Sequence, residues 1–192
     1  MKFSETRLRG AFVIDLDKHE DERGHFARVW CAREFARHGL PDRMVQASMS
    51  HTRLAGTLRG LHWQAAPHAE DKLVRCTRGA LWDAIVDVRP QSPTYCDWIG
   101  VELSEENGRM LFVPKGFAHG FVTLTDDAAV SYQMTAEYAP ESARGARHDD
   151  PAFAIRWPVP VLHMSARDRS WPDFGREAGS RAVHSPTEEP HP

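Results

Sequence analysis

The chain alternates short apolar runs with turn residues, and the runs are too short and too closely punctuated for helices. Ten of them read as strands, over 11–15, 27–30, 44–50, 57–64, 72–78, 80–89, 98–103, 110–114, 119–124 and 128–135. With Gly, Pro, Asn and Asp between them, they predict an all-β sandwich or barrel. One short helix is expected over 31–38, stopping at Gly39 ahead of Pro41. The region 138–174 is richer in charges and prolines and is expected to wrap the barrel. The last stretch, 175–192, has almost no apolar residues and is expected to be a disordered tail, leaving 1–174 as one domain.

Period-two alternation sorts the side chains of these strands onto two faces. In TLRGLHWQ, residues 57–64, Leu58, Gly60, His62 and Gln64 share one face, and Thr57, Arg59, Leu61 and Trp63 share the other. Strict alternation therefore separates Arg59 from His62, unless Gly60 hosts a bulge that turns both inward. Lys72 shares a face with Val74 and Cys76, Tyr132 with Val130 and Met134, and His119 with Phe121. Each has an ordinary reading. A strand histidine is usually a hydrogen-bonded core or rim residue, a tyrosine packs with its hydroxyl on a backbone partner, and a strand-end lysine snorkels to water. Together they call for another explanation, because a core needs no Arg, Lys or His on its inner strands.

Composition narrows the classes. At 192 residues, 41% hydrophobic and 27% charged, the chain is ordinary for a soluble globular protein. A net charge of -3 gives no electrostatic reason to expect a nucleic acid or an anionic membrane as partner. No run approaches a membrane span, and the start, MKFSETRLRG, lacks the apolar core of a signal peptide. Cys31, Cys76 and Cys96 are scattered without paired spacing, which points to a reduced, cytoplasmic setting.

Two segments resemble the paired motifs of the cupin superfamily, double-stranded β-helix (jelly-roll) barrels that often hold a metal. Gly56 is followed by five residues and then His62-Trp63-Gln64, with Lys72 and Gly79 beyond; Pro114, Gly116 and His119 match the second motif. Gln64 stands where that motif has a second histidine, and Lys72 near the place of its glutamate. A protonated lysine has no lone pair for a metal and repels a cation. His62 and His119 alone make a poor ligand set. No metal is therefore expected.

A longer ordered series resembles the dTDP-4-dehydrorhamnose 3,5-epimerase family, a cofactor-free branch of these barrels. It runs through DERGHF (21–26), LRGLHWQ (58–64), KLVR (72–75), VDVRPQSPTY (86–95), VPKGFAHGF (113–121), SYQMTAEYAP (131–140), DDP (149–151) and SARD (165–168). The resemblance implies a jelly roll with a few short helices, usually a homodimer, that epimerises C3, C5 or both of a nucleotide-diphosphate-linked 4-keto-6-deoxy sugar without a cofactor. By position it implies His62 as general base, Asp168 as the carboxylate that orients it, Lys72 beside the 4-keto oxygen and Tyr132 as the opposed acid. Arg23, Gln46, Arg59, His119 and Arg167 match substrate-holding positions, and Tyr138 matches the aromatic that stacks on the base. The chain departs from the pattern near Phe26, where the usual glutamate is Arg28, at Ser48 in place of asparagine, and at Ala143 in place of an acidic residue. These departures fall on nucleotide contacts. The chemistry is expected to be retained while the particular nucleotide sugar stays open. Two rivals differ in class: a metal-dependent cupin oxygenase using His62 and His119, and a non-catalytic sugar-binding barrel.

Overall fold

A computed structural model describes residues 1–176 of the chain. The strands, in order, are β1 (Lys2–Glu5), β2 (Phe12–Asp15), β3 (His19–Asp21), β4 (Gly24–Phe26), β5 (Gln46–Thr52), β6 (Thr57–Gln64) and β7 (Lys72–Arg78). They continue as β8 (Ala80–Asp87), β9 (Trp98–Ser104), β10 (Met110–Val113), β11 (Phe117–Thr123), β12 (Ala128–Met134), β13 (Ala143–Gly145) and β14 (His163–Met164). Helix α1 (Ala32–Arg37) follows β4, and α2 (Ala166–Arg169) follows β14. One sheet runs β1-β2-β10-β7-β12-β5; the other runs β13-β6-β11-β8-β9, with β14 added in parallel to β6. Neighbours in each sheet are mostly distant in sequence, which is the jelly-roll arrangement of two facing sheets.

Alternation explains why so many strands are buried on both faces. Inward residues Val74, Cys76, Leu81, Ile85, Leu111, Val113, Phe117, Phe121 and Val130 form the core between the sheets. Outward residues Leu73, Met110 and Phe112 pack beneath Phe35 of α1 and Leu40, covering the first sheet. Val86 and Ala118 point outward from the second sheet and meet Phe153, Trp157 and Phe174. The wrapping expected of 138–174 is what covers that face.

Two sequence expectations need correction. Residues 27–30 form no strand; they lead into α1, and Val29 and Trp30 are partly buried by packing on the Phe35 cluster rather than by pairing. An apolar run can satisfy its side chains that way without a ladder partner. The element set is also larger than the patterning predicts, because β1, β3, β4, β13 and β14 and helix α2 are too short or too polar to carry a period. Of the expected tail, 175–192, the part from 177 onward lies outside the described residues.

The VDVRPQSPTY segment is a built turn. The Asp87 carboxylate, fully buried, accepts from Arg89 Nε at 2.8 Å and Nη2 at 2.7 Å, from Thr94 Oγ1 at 2.7 Å and from Ser92 Oγ. Burial alone would raise its pKa; the hydrogen bonds from Arg89, Ser92 and Thr94 outweigh it and hold the carboxyl at about 2. The stability this supplies is present above the ordinary carboxylate pKa and is lost as pH falls through the depressed value. Asp87→Asn is expected to cost about 3 kcal/mol near neutral pH by leaving Arg89 unpaired. Urea denaturation should show the gap to the parent closing as pH falls from about 4 towards 2.

Candidate active site

The site is built on β6. Its partner β11 pairs His119 with His62 and Phe121 with Arg59, so two residues of β6 lie opposite the single Gly120. This is the bulge that Gly60 was expected to permit. It sets both Arg59 and His62 to the barrel's inner side, which strict alternation forbids. Gly60 sits at φ +130°, and a Cβ there would lie 2.5 Å from Gly120 Cα. The two glycines let the strands close over the bulge.

Asp168 reaches this strand from far along the chain. Ser165 caps α2 by accepting the Asp168 N–H at 3.0 Å, which holds Asp168 in the first turn. Its Oδ1 lies 2.6 Å from His62 Nε2, and its Oδ2 accepts the Gly60 N–H at 3.4 Å. The carboxylate side chain is 6% exposed and the imidazole 44%. Burial pushes Asp168 upward, but the hydrogen bond and charge of His62, with Gly60 and Ser165, hold its carboxyl below the usual range. With Nε2 held by an ionised partner, a neutral imidazole presents Nδ1 as its free acceptor.

A cavity of about 200 Å³ opens beside this pair, lined by His62, Lys72, Glu70, Tyr138, Arg144 and Arg167 among others. Lys72 Nζ stands 3.1 Å from Glu70 Oε1, with side chains 13% and 10% exposed, and reaches towards the His62 carbonyl at 3.5 Å. Arg167 also lies over the Trp171 ring at 5.6 Å. Gln64 is tied up. Its Nε2, with two hydrogens, faces three acceptors, the carbonyls of His68 and Glu137 and Glu70 Oε2, and its Oε1 accepts the Ala139 N–H at 2.6 Å. In the place of a cupin ligand the chain has an amide that fastens β6 to the 137–139 loop.

The inner face of the barrel carries Tyr132 and His119. Tyr132 packs against the inter-sheet core, with its hydroxyl 3.3 Å from Ser50 Oγ. Burial pushes the phenol well above its ordinary pKa, so it is neutral and able to donate. His119, buried, binds Asp83 Oδ1 at 2.7 Å and turns its ring edgewise to Tyr132, with centroids 6.2 Å apart. Arg59 is exposed, anchored by Thr52 Oγ1 at 3.0 Å and the His51 carbonyl at 3.1 Å. Gln46 and Ser48 lie on β5 opposite Met134 and Tyr132, and Gln46 Oε1 accepts the Tyr138 N–H.

Of the expected substrate contacts Tyr138 and Arg167 line this cavity; Gln46, Ser48, Arg59, His119 and the expected acid Tyr132 lie outside its lining, and Arg23, Phe26 and Arg28 are held elsewhere on the chain. Arg23 and Phe26 sit on the β3–β4 hairpin, whose strand residues are all exposed, and Arg23 pairs with Asp21. Arg28 pairs with Glu34 of α1. Conversely, Glu70 and Arg144 line the cavity and escape the sequence reading. Glu70 stands two residues from Lys72, a readable signal only once the turn ahead of β7 is known.

The fold is a cupin-type jelly roll whose cavity sets a histidine–carboxylate pair beside a lysine. A family model described as dTDP-4-dehydrorhamnose 3,5-epimerase matches residues 5–176, and the chain belongs to that family. A dTDP-4-dehydrorhamnose 3,5-epimerase of Sinorhizobium fredii is 46% identical over 175 residues, covering 91% of this chain and 90% of its own. The crystal structure of the corresponding Elizabethkingia anophelis enzyme matches with a TM-score of 0.88 at 38% identity, covering 92% of this chain and 98% of its own. A Legionella pneumophila dTDP-6-deoxy-D-glucose-3,5-epimerase, solved in complex with dTDP-4-keto-L-rhamnose, matches with a TM-score of 0.84 at 37% identity, covering 88% and 90%. The protein is an isomerase, an epimerase of nucleotide-linked 4-keto-6-deoxy sugars. Among the described residues no helix is long and apolar enough to cross a membrane.

Proposed function

We propose that the protein takes dTDP-4-keto-6-deoxyglucose and inverts both C3 and C5, with His62 as base, Asp168 as its orienting partner, Lys72 beside the ketone oxygen and Tyr132 as the opposed acid. The observation that carries this is the His62–Asp168 pair, 2.6 Å apart, at a cavity it shares with Lys72. Epimerisation beside a ketone removes a carbon-bound hydrogen as a proton and returns one from the opposite face. The carbanion survives as an enolate, so a fixed cation near the developing oxyanion lowers the barrier. His62 supplies the acceptor for the carbon-bound proton, and Asp168 holds the imidazolium it becomes. Tyr132, kept neutral by burial, has a proton to return.

Relatives support this reading of substrate and carbons. The family description and the Sinorhizobium relative are named for both carbons, and the Legionella relative was solved with a dTDP sugar. Arg59, His119, Tyr138 and Arg167 are proposed to hold the nucleotide sugar, with Gln46 and Ser48 on β5 beside them. Arg23, Phe26 and Arg28 are proposed to serve a site in a homodimer, since their own chain does not bring them to its cavity. We assign the enzyme to the cytoplasm, with residues 1–174 as one catalytic domain.

Incubation with dTDP-4-keto-6-deoxyglucose in D2O, followed by NMR, tests the reaction. Deuterium is expected at C3 and C5 with inversion at both. Label at C3 alone would replace the double epimerisation by a single one. Tyr132→Phe is expected to keep exchange and lose inversion, because the base can return deuterium only to the face it deprotonated; inversion at the parent rate would remove Tyr132 from the acid's role. If dTDP shows no detectable binding while another nucleoside diphosphate binds, the dTDP assignment falls.

A further inference from the structure

The Lys72 ammonium has a carboxylate against it in a nearly closed corner of the cavity, and nothing in the epimerisation chemistry calls for that negative charge. Glu70 Oε1 is 3.1 Å from Lys72 Nζ, and Glu70 Oε2 accepts from Gln64 Nε2 at 3.0 Å. A buried ion pair is a poor stability device, since taking two charges out of water costs about what their attraction returns. The surrounding structure nonetheless holds this pair firmly. Asp71, next in the chain and itself buried, accepts the Lys115 N–H on Oδ1 and Thr135 Oγ1 on Oδ2, pinning the loop that carries Glu70. The Asp71 N–H donates to Thr135 Oγ1 in turn.

Gln64 fixes the other side. Its Nε2 faces three acceptors and its Oε1 takes the Ala139 N–H, so the amide cannot turn over without setting its oxygen against carbonyls. Glu70 thus offers an acceptor on both ends, to an amide donor on one side and an ammonium on the other. A carboxylate does this; a carboxamide presents a donor to one of two donors.

We propose that Glu70 is the positioning residue for Lys72: it and the His62 carbonyl occupy two of the three ammonium hydrogens and leave the third for the substrate's oxygen. This rests on the reading of Lys72 as the cation beside the ketone. The pair acts as a directed single donor rather than a free charge. Its value lies in the transition state, because a donor aimed at the developing oxyanion strengthens as charge moves onto that oxygen.

The test is a double-mutant cycle with Glu70→Ala, Lys72→Met and the pair. Rates are read by solvent deuterium incorporation into dTDP-4-keto-6-deoxyglucose at high enzyme concentration, so that slow variants stay measurable. Glu70→Ala is expected to lower kcat about tenfold with KM within about threefold, the signature of a group acting mainly in the transition state. In the Lys72→Met background the same change is expected to alter kcat by less than about twofold, since its target is gone. Glu70→Gln is expected to fall with Glu70→Ala, and Glu70→Asp to recover part of the loss. If Glu70→Ala fails to fold by circular dichroism, the Gln and Asp variants carry the same cycle. A loss from Glu70 substitution that persists undiminished in the Lys72→Met background overturns the proposal and leaves the role of Lys72 standing. Full activity of Lys72→Met overturns the role of Lys72, and this proposal with it.

Discussion

His62→Ala is expected to lower kcat by about 10²- to 10⁴-fold, the range for losing a general base, and to abolish deuterium incorporation at C3 and C5. The imidazole is the group at the cavity whose second nitrogen is fixed by a buried carboxylate, so its loss leaves no positioned acceptor for the carbon-bound proton. The same change acts on stability. In the parent, His62 helps hold the Asp168 carboxyl below its usual range, against burial that would raise it. That contribution is present above the ordinary carboxylate pKa and is lost as pH falls through the depressed value. Without His62 the buried carboxylate keeps its desolvation cost and loses its main compensation. The variant should therefore be less stable near pH 7, with the gap to the parent closing in acid. Urea denaturation across pH measures this, and undiminished isotope exchange would end the assignment of His62 as base.

Lys72→Met is expected to lower kcat by about 10²- to 10³-fold, the usual loss when a donor to a developing oxyanion is removed. Methionine keeps much of the length and apolar stem while removing the ammonium. KM should move little, because the ground-state ketone oxygen carries far less charge than the enolate. The change also strips Glu70 of its partner and leaves a nearly buried carboxylate with Gln64 alone. Some thermal destabilisation is expected, and Lys72→Met/Glu70→Gln should recover part of it without recovering activity. Steady-state kinetics beside thermal melts separate the two effects. A kcat within about threefold of the parent would show that the cation is not needed at the ketone.

The departures at Arg28, Ser48 and Ala143 are expected to bear on recognition rather than on this chemistry. Arg28, at a position where the family pattern is expected to have glutamate, pairs with Glu34 of its own α1. Ala143 stands at the cavity wall with Arg144 beside it, so the wall there is cationic. A diphosphate suits that charge. The balance of contacts to the nucleoside is where this chain is expected to differ from its relatives.

How much is legible in the sequence depends on the range of the interaction concerned. Inward and outward assignments along the strands come from alternation, a local property of a pleated backbone, and they hold for Val74, Cys76, Val130, Phe121 and Tyr132 alike. Segment 27–30 misleads because the same apolar run serves as well for a packed loop as for a strand. Asp168 is identified by its motif, yet its contact spans 106 residues of chain and depends on α2 docking against β6. Glu70 escapes notice for a local reason, because only the turn ahead of β7 brings it against Lys72 two residues on.

By itself, then, the sequence determined most of the longer strands, the sorting of their side chains onto two faces, the motif-borne candidates and the family they resemble. All of these follow from period-two patterning and the order of short motifs. Only the tertiary structure decided that the Gly60 bulge brings Arg59 and His62 to one side, that the Gln64 amide fastens a loop, and that a carboxylate from the turn ahead of β7 stands against Lys72. Those outcomes depend on which distant strands pair and in what register. Register is set by the packing of the whole barrel, which no single segment encodes.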